Sequence, residues 1–396
     1  MILKIKLTFI AAFFIATGSS FGQIKGGFNP TEAKEMIALC NSYTFLDLYN
    51  SDVQIIPAGW KKIYTSGVFG MDNKYQIFRK GDVAVLNFRG STEKSISWME
   101  NIYSAMIPAK GQMVLQGDTF NYRFSDEPKA AVHAGYALGI GYLSKDIIHQ
   151  IAYLNSQNVF NIILTGHSQG GSLVHLLRSY LESMKGTEIS EKNKFKTYAF
   201  ANPMVGNEDF VTDYNRSFCN DSTSFSIVNP QDLVTNMPLS YDNSSPENII
   251  NTLITGGETD IKQMAIGLFL QRYENELGGF IQNISTKLNK QISDELGEVK
   301  MPQYVDDIKY VPMQTRIELD AFDYPKALRD SSILKNDSLM QVYKRDSQGN
   351  FLNEEVYKQQ PKFFQHKPYN YYAGILRKYF PAEYKVMKRK YLKENL

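Results

Sequence analysis

Segments with strand-like and helix-like hydrophobic patterns alternate along this chain. Apolar residues recur at helical spacing from Thr31 to Tyr49 and again over a long stretch from Ala130 to Leu154. Short apolar runs bounded by turn residues predict strands at Tyr75–Arg79, Val83–Phe88, Phe195–Phe200 and Ser224–Val228. Strands that alternate with helices predict a mostly parallel sheet covered on both faces, which is an α/β fold.

The most informative stretch is a buried-strand pattern that runs into Gly-His-Ser-Gln-Gly at residues 166–170 and then into a helix. Ile162–Leu164 are typical of a buried parallel strand, and the apolar residues within 173–181 recur at helical spacing. This context predicts a nucleophile elbow, a strained turn that exposes the hydroxyl of Ser168. The motif needs its two glycines because side chains there would collide with the neighbouring strand and helix.

A serine nucleophile needs a neighbouring base, and the chain contains five histidines. Four of them lie before the elbow, within it or along its helix: His133, His149, His167 and His175. The side chain of the elbow histidine points away from the nucleophile, and the helix histidine lies about 10 Å along the helix from Ser168. Because hydrolases with this elbow follow the chain order serine, acid, histidine, His366 is the predicted base.

The acid that orients such a base is predicted at Asp232. It lies in the turn of residues 229–232 that follows the strand Ser224–Val228. This is the carboxyl end of a strand, where sites in open sheets form. Asp209 and Asp221 are alternatives, although the first falls in a helical pattern and the second precedes the strand.

The tetrahedral intermediate of acyl transfer needs two preorganised donors for its oxyanion. One is the backbone N–H of Gln169, the residue directly after the nucleophile. The second is predicted in the loop that follows the strand Val83–Phe88, where Ser91 offers both a backbone N–H and a hydroxyl.

With these residues in place, the chain resembles the class 3 lipases, the family that includes the fungal triacylglycerol lipases. The similar motifs occur in family order over most of the region from Asn87 to His366. They are residues 87–91, Trp98 with Asn101, residues 132–136, 164–171, 199–207 and 228–234, and His366 with Tyr369. The resemblance implies an α/β-hydrolase fold, and it favours Asp232 over the other aspartates as the acid.

The resemblance also implies a lid over the site, and residues 98–108 fit one. Their apolar members Ile102, Tyr103, Met106 and Ile107 would cover the serine in water and open on a lipid surface. A plain core helix explains the same pattern. The chain departs from the family at Gln169, where leucine is common, and we expect a polar side chain beside the acyl pocket.

Three segments are predicted. Residues 1–22 read as a signal peptide, and residues 23–396 form the hydrolase domain with a largely helical, cap-like insertion at about 240–361. Within that insertion, Asn248–Leu296 is rich in helical patterns, and Leu339–Tyr357 resembles a hairpin turning at residues 346–350.

The N-terminus carries the features of an export signal. Lys4 and Lys6 precede a short apolar run, and small residues at the end of the segment suit cleavage before Gln23. No cysteine lies directly after the cleavage position, so we expect no lipid anchor, and the apolar run is too short to span a bilayer. We therefore expect a secreted or periplasmic protein without a transmembrane segment. Export permits a disulfide between Cys40 and Cys219, and the sequence leaves open whether they pair.

The charge of the chain limits the kinds of partner that its function can involve. The 43 basic and 41 acidic residues give a net charge of +2, which provides no electrostatic reason to expect a nucleic-acid partner. The sequence predicts a secreted serine hydrolase that cleaves acyl esters of glycerolipids at a lipid interface through an acyl-enzyme. We expect neither a metal, nor an organic cofactor, nor an obligatory protein partner. The alternatives are a phospholipase, a short-chain or polysaccharide esterase, and a lipase-like scaffold without turnover.

Overall fold

The computed structural model describes most of the chain from residue 24 to residue 392. The described residues are 24–238 and 277–392, apart from 308, 325–326, 336–342, 348, 359 and 361–362. The expected signal peptide at residues 1–22 therefore lies outside the described residues, as does most of the helix-rich stretch expected at Asn248–Leu296. Within the described part, no helix is long and apolar enough to cross a membrane.

The described strands and helices alternate over the first half of the chain. The strands are β1 (Lys61–Thr65), β2 (Tyr75–Lys80), β3 (Val83–Phe88), β4 (Met106–Pro108), β5 (Lys110–Leu115), β6 (Asp118–Arg123), β7 (Ala131–His133), β8 (Asn161–His167), β9 (Lys194–Phe200), β10 (Ser224–Val228), β11 (Val299–Lys300) and β12 (Arg316–Glu318). The α-helices are α1 (Pro30–Tyr49), α2 (Ser95–Ile102), α3 (Ala134–Ser156), α4 (Gln169–Ser183), α5 (Glu208–Tyr214), α6 (Leu277–Leu296), α7 (Pro368–Tyr379) and α8 (Pro381–Val386).

Seven of these strands form the central sheet, in the order β1-β2-β3-β8-β9-β10-β12. The pairs from β1 to β3 are antiparallel, and those from β3 to β12 are parallel. The prediction of a mostly parallel sheet is therefore confirmed, and the fold is that of an α/β-hydrolase. The elbow strand β8 lies in the middle of the sheet, so its carboxyl end points to a site supported on both sides.

Helices cover both faces of the sheet because its central strands are apolar on both faces. Ile162 and Leu164 of β8 pack into the larger core with α3 and α4, while Ile163 between them packs into the opposite core. That second core contains apolar residues of α1 and α7. A strand with alternate residues on opposite faces must be apolar throughout when both faces are covered.

The segment expected to form a lid lies in the core instead. Tyr103 and Ile107 are fully buried, and Met106 pairs across β4 and β7 with His133. The lid interpretation of this apolar face is therefore wrong, and its alternative, packing in the core, is what the structure shows. The helix expected from Ala130 likewise begins only at Ala134, because the residues before it form β7.

The expected largely helical insertion is only partly helical where it is described. Helix α6 is followed by a mostly extended segment that contains two short 3₁₀ turns, and β12 in this segment adds a parallel edge strand to the central sheet beside β10. Pro302 and Pro312 disfavour helix here because proline removes a backbone donor and crowds the preceding turn. An antiparallel bridge between Arg345 and Phe351 closes the expected turn at residues 346–350. The segment around β12 is thus an extension of the sheet.

The two cysteines are free, buried and on opposite sides of the sheet. Cys40 lies in α1 with its sulfur 3.7 Å from the hydroxyl of Thr165, whereas Cys219 packs into the core on the other face. The disulfide that the sequence left open is not formed. Burial raises the pKa of the Cys40 thiol to about 12 and also raises that of Cys219, so neither forms the reactive thiolate at neutral pH.

This placement predicts the outcome of a thiol titration without reductant. Both thiols should react with a disulfide reagent after denaturation, and neither should react within minutes in the native protein, because burial blocks access and disfavours the thiolate. Absorbance of the released chromophore, measured with and without denaturant, gives both values. Absence of free thiol in the denatured, unreduced protein would show that the two cysteines are paired.

Candidate active site

The predicted elbow is formed at the junction of β8 and α4. Ser168 has φ 59° and ψ −130°, a conformation that L-residues rarely adopt and that costs about 1–3 kcal/mol. Its backbone N–H donates to the carbonyl of Phe200 at 2.9 Å. A Cβ at Gly166 or Gly170 would lie 2.4 Å from backbone atoms, of Gly170 and Phe88 respectively. Strand, turn and helix therefore approach so closely that only glycine fits on either side of the serine.

A continuous line of hydrogen bonds joins Ser168, His366 and Asp232. The distance from Ser168 Oγ to His366 Nε2 is 2.8 Å, and His366 Nδ1 lies 2.8 Å from Asp232 Oδ2. Because a carboxylate only accepts, Nδ1 carries the proton, and Nε2 is left to accept from the serine hydroxyl. The structure thus brings together the three residues singled out from sequence. Asp209 and Asp221, the alternatives for the acid, are exposed elsewhere.

Asp232 lies just beyond the carboxyl end of β10 and is held from two sides. Its Oδ1 accepts the backbone N–H of Val234 at 3.1 Å, and its Oδ2 accepts the hydroxyl of Tyr371 at 2.7 Å. The same Tyr371 oxygen accepts the backbone N–H of Asn229 at 3.0 Å. Tyr369, which with His366 forms the motif that resembles the family's, donates its hydroxyl to the carbonyl of Arg389. A signal for Tyr371 was present, since helical spacing from Tyr371 to Ile375 marks the buried face of α7.

The loop that carries His366 is tied to neighbouring segments by its own backbone and by Gln365. His167 Nε2 lies 2.7 Å from the carbonyl oxygen of His366 and donates to it. The amide oxygen of Gln365 accepts from Asn229 Nδ2 at 2.8 Å, and its amide nitrogen donates to the carbonyl of Phe322 at 2.7 Å. Gln365 therefore links the base loop both to the turn that carries the acid and to the chain that follows β12.

The other histidines have structural partners. His133 caps α3 by accepting the backbone N–H of Tyr136, and His175 bonds to the hydroxyls of Tyr214 and Ser226. Burial lowers the pKa of both imidazoles to about 3, so they are neutral at physiological pH. Burial, together with the nearby His366, also lowers the pKa of His167 well below its usual range. A neutral His167 adds no positive charge next to the base.

The oxyanion residues expected from sequence lie on either side of the nucleophile. Gln169 is the first residue of α4, where backbone N–H groups have no partner within the helix. The loop after β3 passes beside the elbow, since a Cβ at Gly90 would lie 3.4 Å from Ser168 Cβ. Ser91 follows in that loop and donates its hydroxyl to the side-chain oxygen of Gln169 at 2.7 Å. The two donors therefore belong to segments that are held together by a hydrogen bond.

The side chain of Gln169, which the sequence predicts beside the acyl pocket, is buried in a polar network. Asn101 Nδ2 donates to its oxygen at 3.0 Å and to Ser91 Oγ at 2.9 Å. The Gln169 amide nitrogen donates to Asn73 Oδ1 at 3.2 Å, and Asn73 Nδ2 donates to Glu100 Oε2 at 2.6 Å. This network joins the first residue of α4 to the loop that carries Ser91 and to the buried residues Asn73 and Glu100.

Glu100 is fully buried in this network. Burial raises the pKa of its carboxyl well above the usual range, although hydrogen bonds from Asn73 and Gln169 oppose the shift. Nearby titratable groups are neutral as well, since burial raises the pKa of Tyr136 and lowers that of His133. The shift at Glu100 favours the protonated, uncharged form of its carboxyl. In the described part of the chain, no three His, Cys, Asp or Glu side chains are placed to hold a metal ion.

Comparison with known proteins gives one family and several solved structures. The model of the family Lipase (class 3) matches residues 85–241. The chain is similar to a lipase from Rhizopus microsporus var. chinensis at 18% identity, over 55% of this chain and 73% of that one, with a TM-score of 0.39. It is also similar to lipase II from Rhizopus niveus at 18% identity, over 53% and 75% of the two chains, with a TM-score of 0.38. No curated protein matches the chain.

The contacts of Tyr371 predict that its substitution lowers stability and kcat, whereas substitution of Tyr369 should not lower kcat in the same way. Tyr371→Phe leaves a buried N–H of Asn229 without an acceptor, so we expect the free energy of unfolding to fall by about 1–3 kcal/mol. Because Asp232 also loses a donor, kcat for ester cleavage should fall about tenfold, which is ~1.4 kcal/mol. Urea unfolding and steady-state kinetics measure both, with Tyr369→Phe as the matched control. Equal kcat values for the two variants would contradict a role for Tyr371 in holding the acid.

The raised pKa of Glu100 predicts a dependence of stability on pH. The unfolded chain releases this proton near the ordinary glutamate pKa of about 4.3, whereas the native state retains it. The contribution of this residue to the free energy of unfolding therefore falls as the pH rises above about 4.3. Since Glu100→Gln cannot ionise, its Tm relative to wild type should increase from about pH 5 to about pH 8. A Tm difference that stays constant over this range in calorimetry would show that Glu100 is not a retained acid.

Proposed function

We propose that this chain, whose residues 85–241 match the model of the class 3 lipase family, cleaves acyl esters of lipids through an acyl-enzyme formed on Ser168. The match to this family supports a carboxylic ester hydrolase. The proposal adds the residues, the intermediate and the kind of ester. The observation that carries it is the line of hydrogen bonds from Ser168 through His366 to Asp232, with both bonds at 2.8 Å.

In the proposed reaction, Ser168 Oγ attacks the ester carbonyl while His366 Nε2 accepts the hydroxyl proton. The carboxylate of Asp232 orients the ring and stabilises the imidazolium that forms. The tetrahedral oxyanion is bound by donors of Ser91 and Gln169, each of which contributes about 2.7–4 kcal/mol in enzymes of this kind. Collapse of this intermediate transfers the proton from His366 to the leaving alcohol and leaves the acyl group on Ser168. Water, deprotonated by His366, then attacks the acyl-enzyme; as the bond from Ser168 Oγ to the acyl carbon breaks, His366 returns the proton to Ser168 and the fatty acid is released.

The neighbourhood of the base suits a positive charge that appears only during the reaction. His366 has 14% of its side chain exposed, while its partner Asp232 is almost completely buried. A buried carboxylate beside the ring stabilises the imidazolium more than it would in water. His167, although next to the nucleophile in sequence, stays neutral and binds the backbone of the base. These contacts support His366 as the base and a positioning role for His167.

The substrate we propose is a glycerolipid with an acyl chain, met at a lipid surface, which follows the family rather than any group seen in the site. Phospholipids and acyl groups on polysaccharide are the nearest alternatives, because they share the ester that the triad would attack. We further propose that the enzyme works outside the cytoplasm. This is supported by the charge and hydropathy pattern of residues 1–22.

The proposal predicts the effect of removing the nucleophile. Ser168→Ala should lower kcat for p-nitrophenyl esters by at least about 10⁴-fold, because no other group can form the acyl-enzyme. The assay compares wild type and variant on p-nitrophenyl butyrate and palmitate, with and without a lipid interface. Preference for the long chain supports a lipase, and preference for the short chain supports an esterase. A folded wild type without turnover under every condition would instead indicate a non-catalytic scaffold.

A further inference from the structure

The polar side chains beneath Ser91 form a row of hydrogen bonds, and the donors at Ser91, Gln169 and Asn73 in this row all face toward Glu100. The Ser91 hydroxyl and Asn101 both donate to the oxygen of the Gln169 amide. The amide nitrogen at the other end of Gln169 donates to the oxygen of Asn73, and the nitrogen of Asn73 donates to Glu100. Each amide therefore presents its oxygen toward Ser91 and its nitrogen toward Glu100.

Two groups outside the row of amides fix this direction: Glu100 at one end and, at the other, the backbone carbonyl of Ser97, which accepts from Asn101 Nδ2 at 3.2 Å. An amide side chain can rotate by half a turn and exchange its oxygen and nitrogen, so a row of amides alone has two arrangements of similar energy. At one end, Glu100 Oε2 accepts from the nitrogen of Asn73 at 2.6 Å. With Asn73 held in this way, its oxygen accepts only from the nitrogen of Gln169, which leaves the Gln169 oxygen for Ser91.

We propose that Glu100 is a positioning residue for the oxyanion donors, acting through Asn73 and the Gln169 amide on the loop that carries Ser91. The inference rests on the proposed function and adds to it a residue outside the triad and the oxyanion hole. The Ser91 hydroxyl serves as the tether in this arrangement, since its proton is donated to Gln169. The tether fixes the loop after β3 against the elbow, and with it the distance between the two backbone donors.

The surroundings of Glu100 leave little room for its carboxyl to move. A Cβ at Gly139 of α3 would lie 2.4 Å from Glu100 Oε1 and 3.1 Å from Asn73 Nδ2. Glycine at this helix position therefore leaves the space that the carboxyl occupies. The neighbour of Asn73 in the chain, Asp72, is itself paired with Arg89 at 2.9 Å and Lys94 at 2.7 Å. The carboxylate of Asp72 is thus bound by two cations from the loop after β3.

The test compares three single variants of the full chain on p-nitrophenyl butyrate, with thermal unfolding as the check on folding. Glu100→Met keeps the length of the side chain but removes the acceptor, and we expect kcat to fall at least about tenfold with KM changed less than about twofold. Oxyanion donors act on the transition state, which is why KM should hardly change. Glu100→Gln keeps an acceptor oxygen for Asn73 and should restore kcat to within about threefold of wild type.

Gly139→Ala provides an independent variant that removes no polar group. Its added methyl displaces the carboxyl, so kcat should again fall about tenfold while KM is preserved. If Glu100→Met does not fold, the kcat of Gly139→Ala tests the inference instead. Wild-type kcat in folded Glu100→Met or Gly139→Ala overturns the inference, as does an equal loss in Glu100→Gln and Glu100→Met. Inactive wild type, or full activity of Ser168→Ala, overturns the proposed function instead, so the two failures are distinguishable.

Discussion

The site depends on one strained residue, Ser168, whose backbone lies in the left-handed region at φ 59°. That geometry aims the hydroxyl away from both β8 and α4, and it persists because the glycines on either side allow strand and helix to pack almost backbone to backbone. The strain of about 1–3 kcal/mol is sustained by the surrounding contacts, since β8 lies in the centre of a sheet covered on both faces. A turn on the edge of a sheet could relax into an ordinary conformation, and this one cannot.

Asp232 and His366 are far apart in the sequence, and the central sheet brings them together. Strand β12 extends the sheet beside β10, and the chain that follows it returns to the site at Phe322. There Gln365 binds both Phe322 and Asn229, so the loop of the base and the turn of the acid share one buried amide. The insertion thus supports the alignment of acid and base through the part that joins the sheet. Its geometry explains how a long insertion is compatible with two hydrogen bonds of 2.8 Å.

The features that depend on local pattern or on the order of motifs along the chain could be predicted from the sequence. The central strands, the elbow and the residues now aligned as Ser168, Asp232 and His366 follow from periodicity, turn chemistry and the order of the motifs. Features that are decided by packing between distant segments could not be predicted from the sequence. Tyr371 is such a feature, because which tyrosine meets the acid depends on how α7 is rotated against the sheet. The apolar face within residues 98–108 fits either a lid or a core helix, since a buried segment and a mobile cover share the same composition.

Burial shifts two ionisable groups close to the site, His167 and Glu100, toward their uncharged forms. It lowers the pKa of the His167 imidazole beside the base and raises the pKa of the Glu100 carboxyl below the oxyanion loop. A charged His167 would disfavour the imidazolium that forms on His366, and a charged Glu100 would repel the oxyanion that forms near Ser91 and Gln169. Both effects would be strong in a site of low dielectric constant. Neutral partners can therefore fix geometry by hydrogen bonding without opposing either of the charges that the proposed reaction creates, which leaves the carboxylate of Asp232 to stabilise the imidazolium.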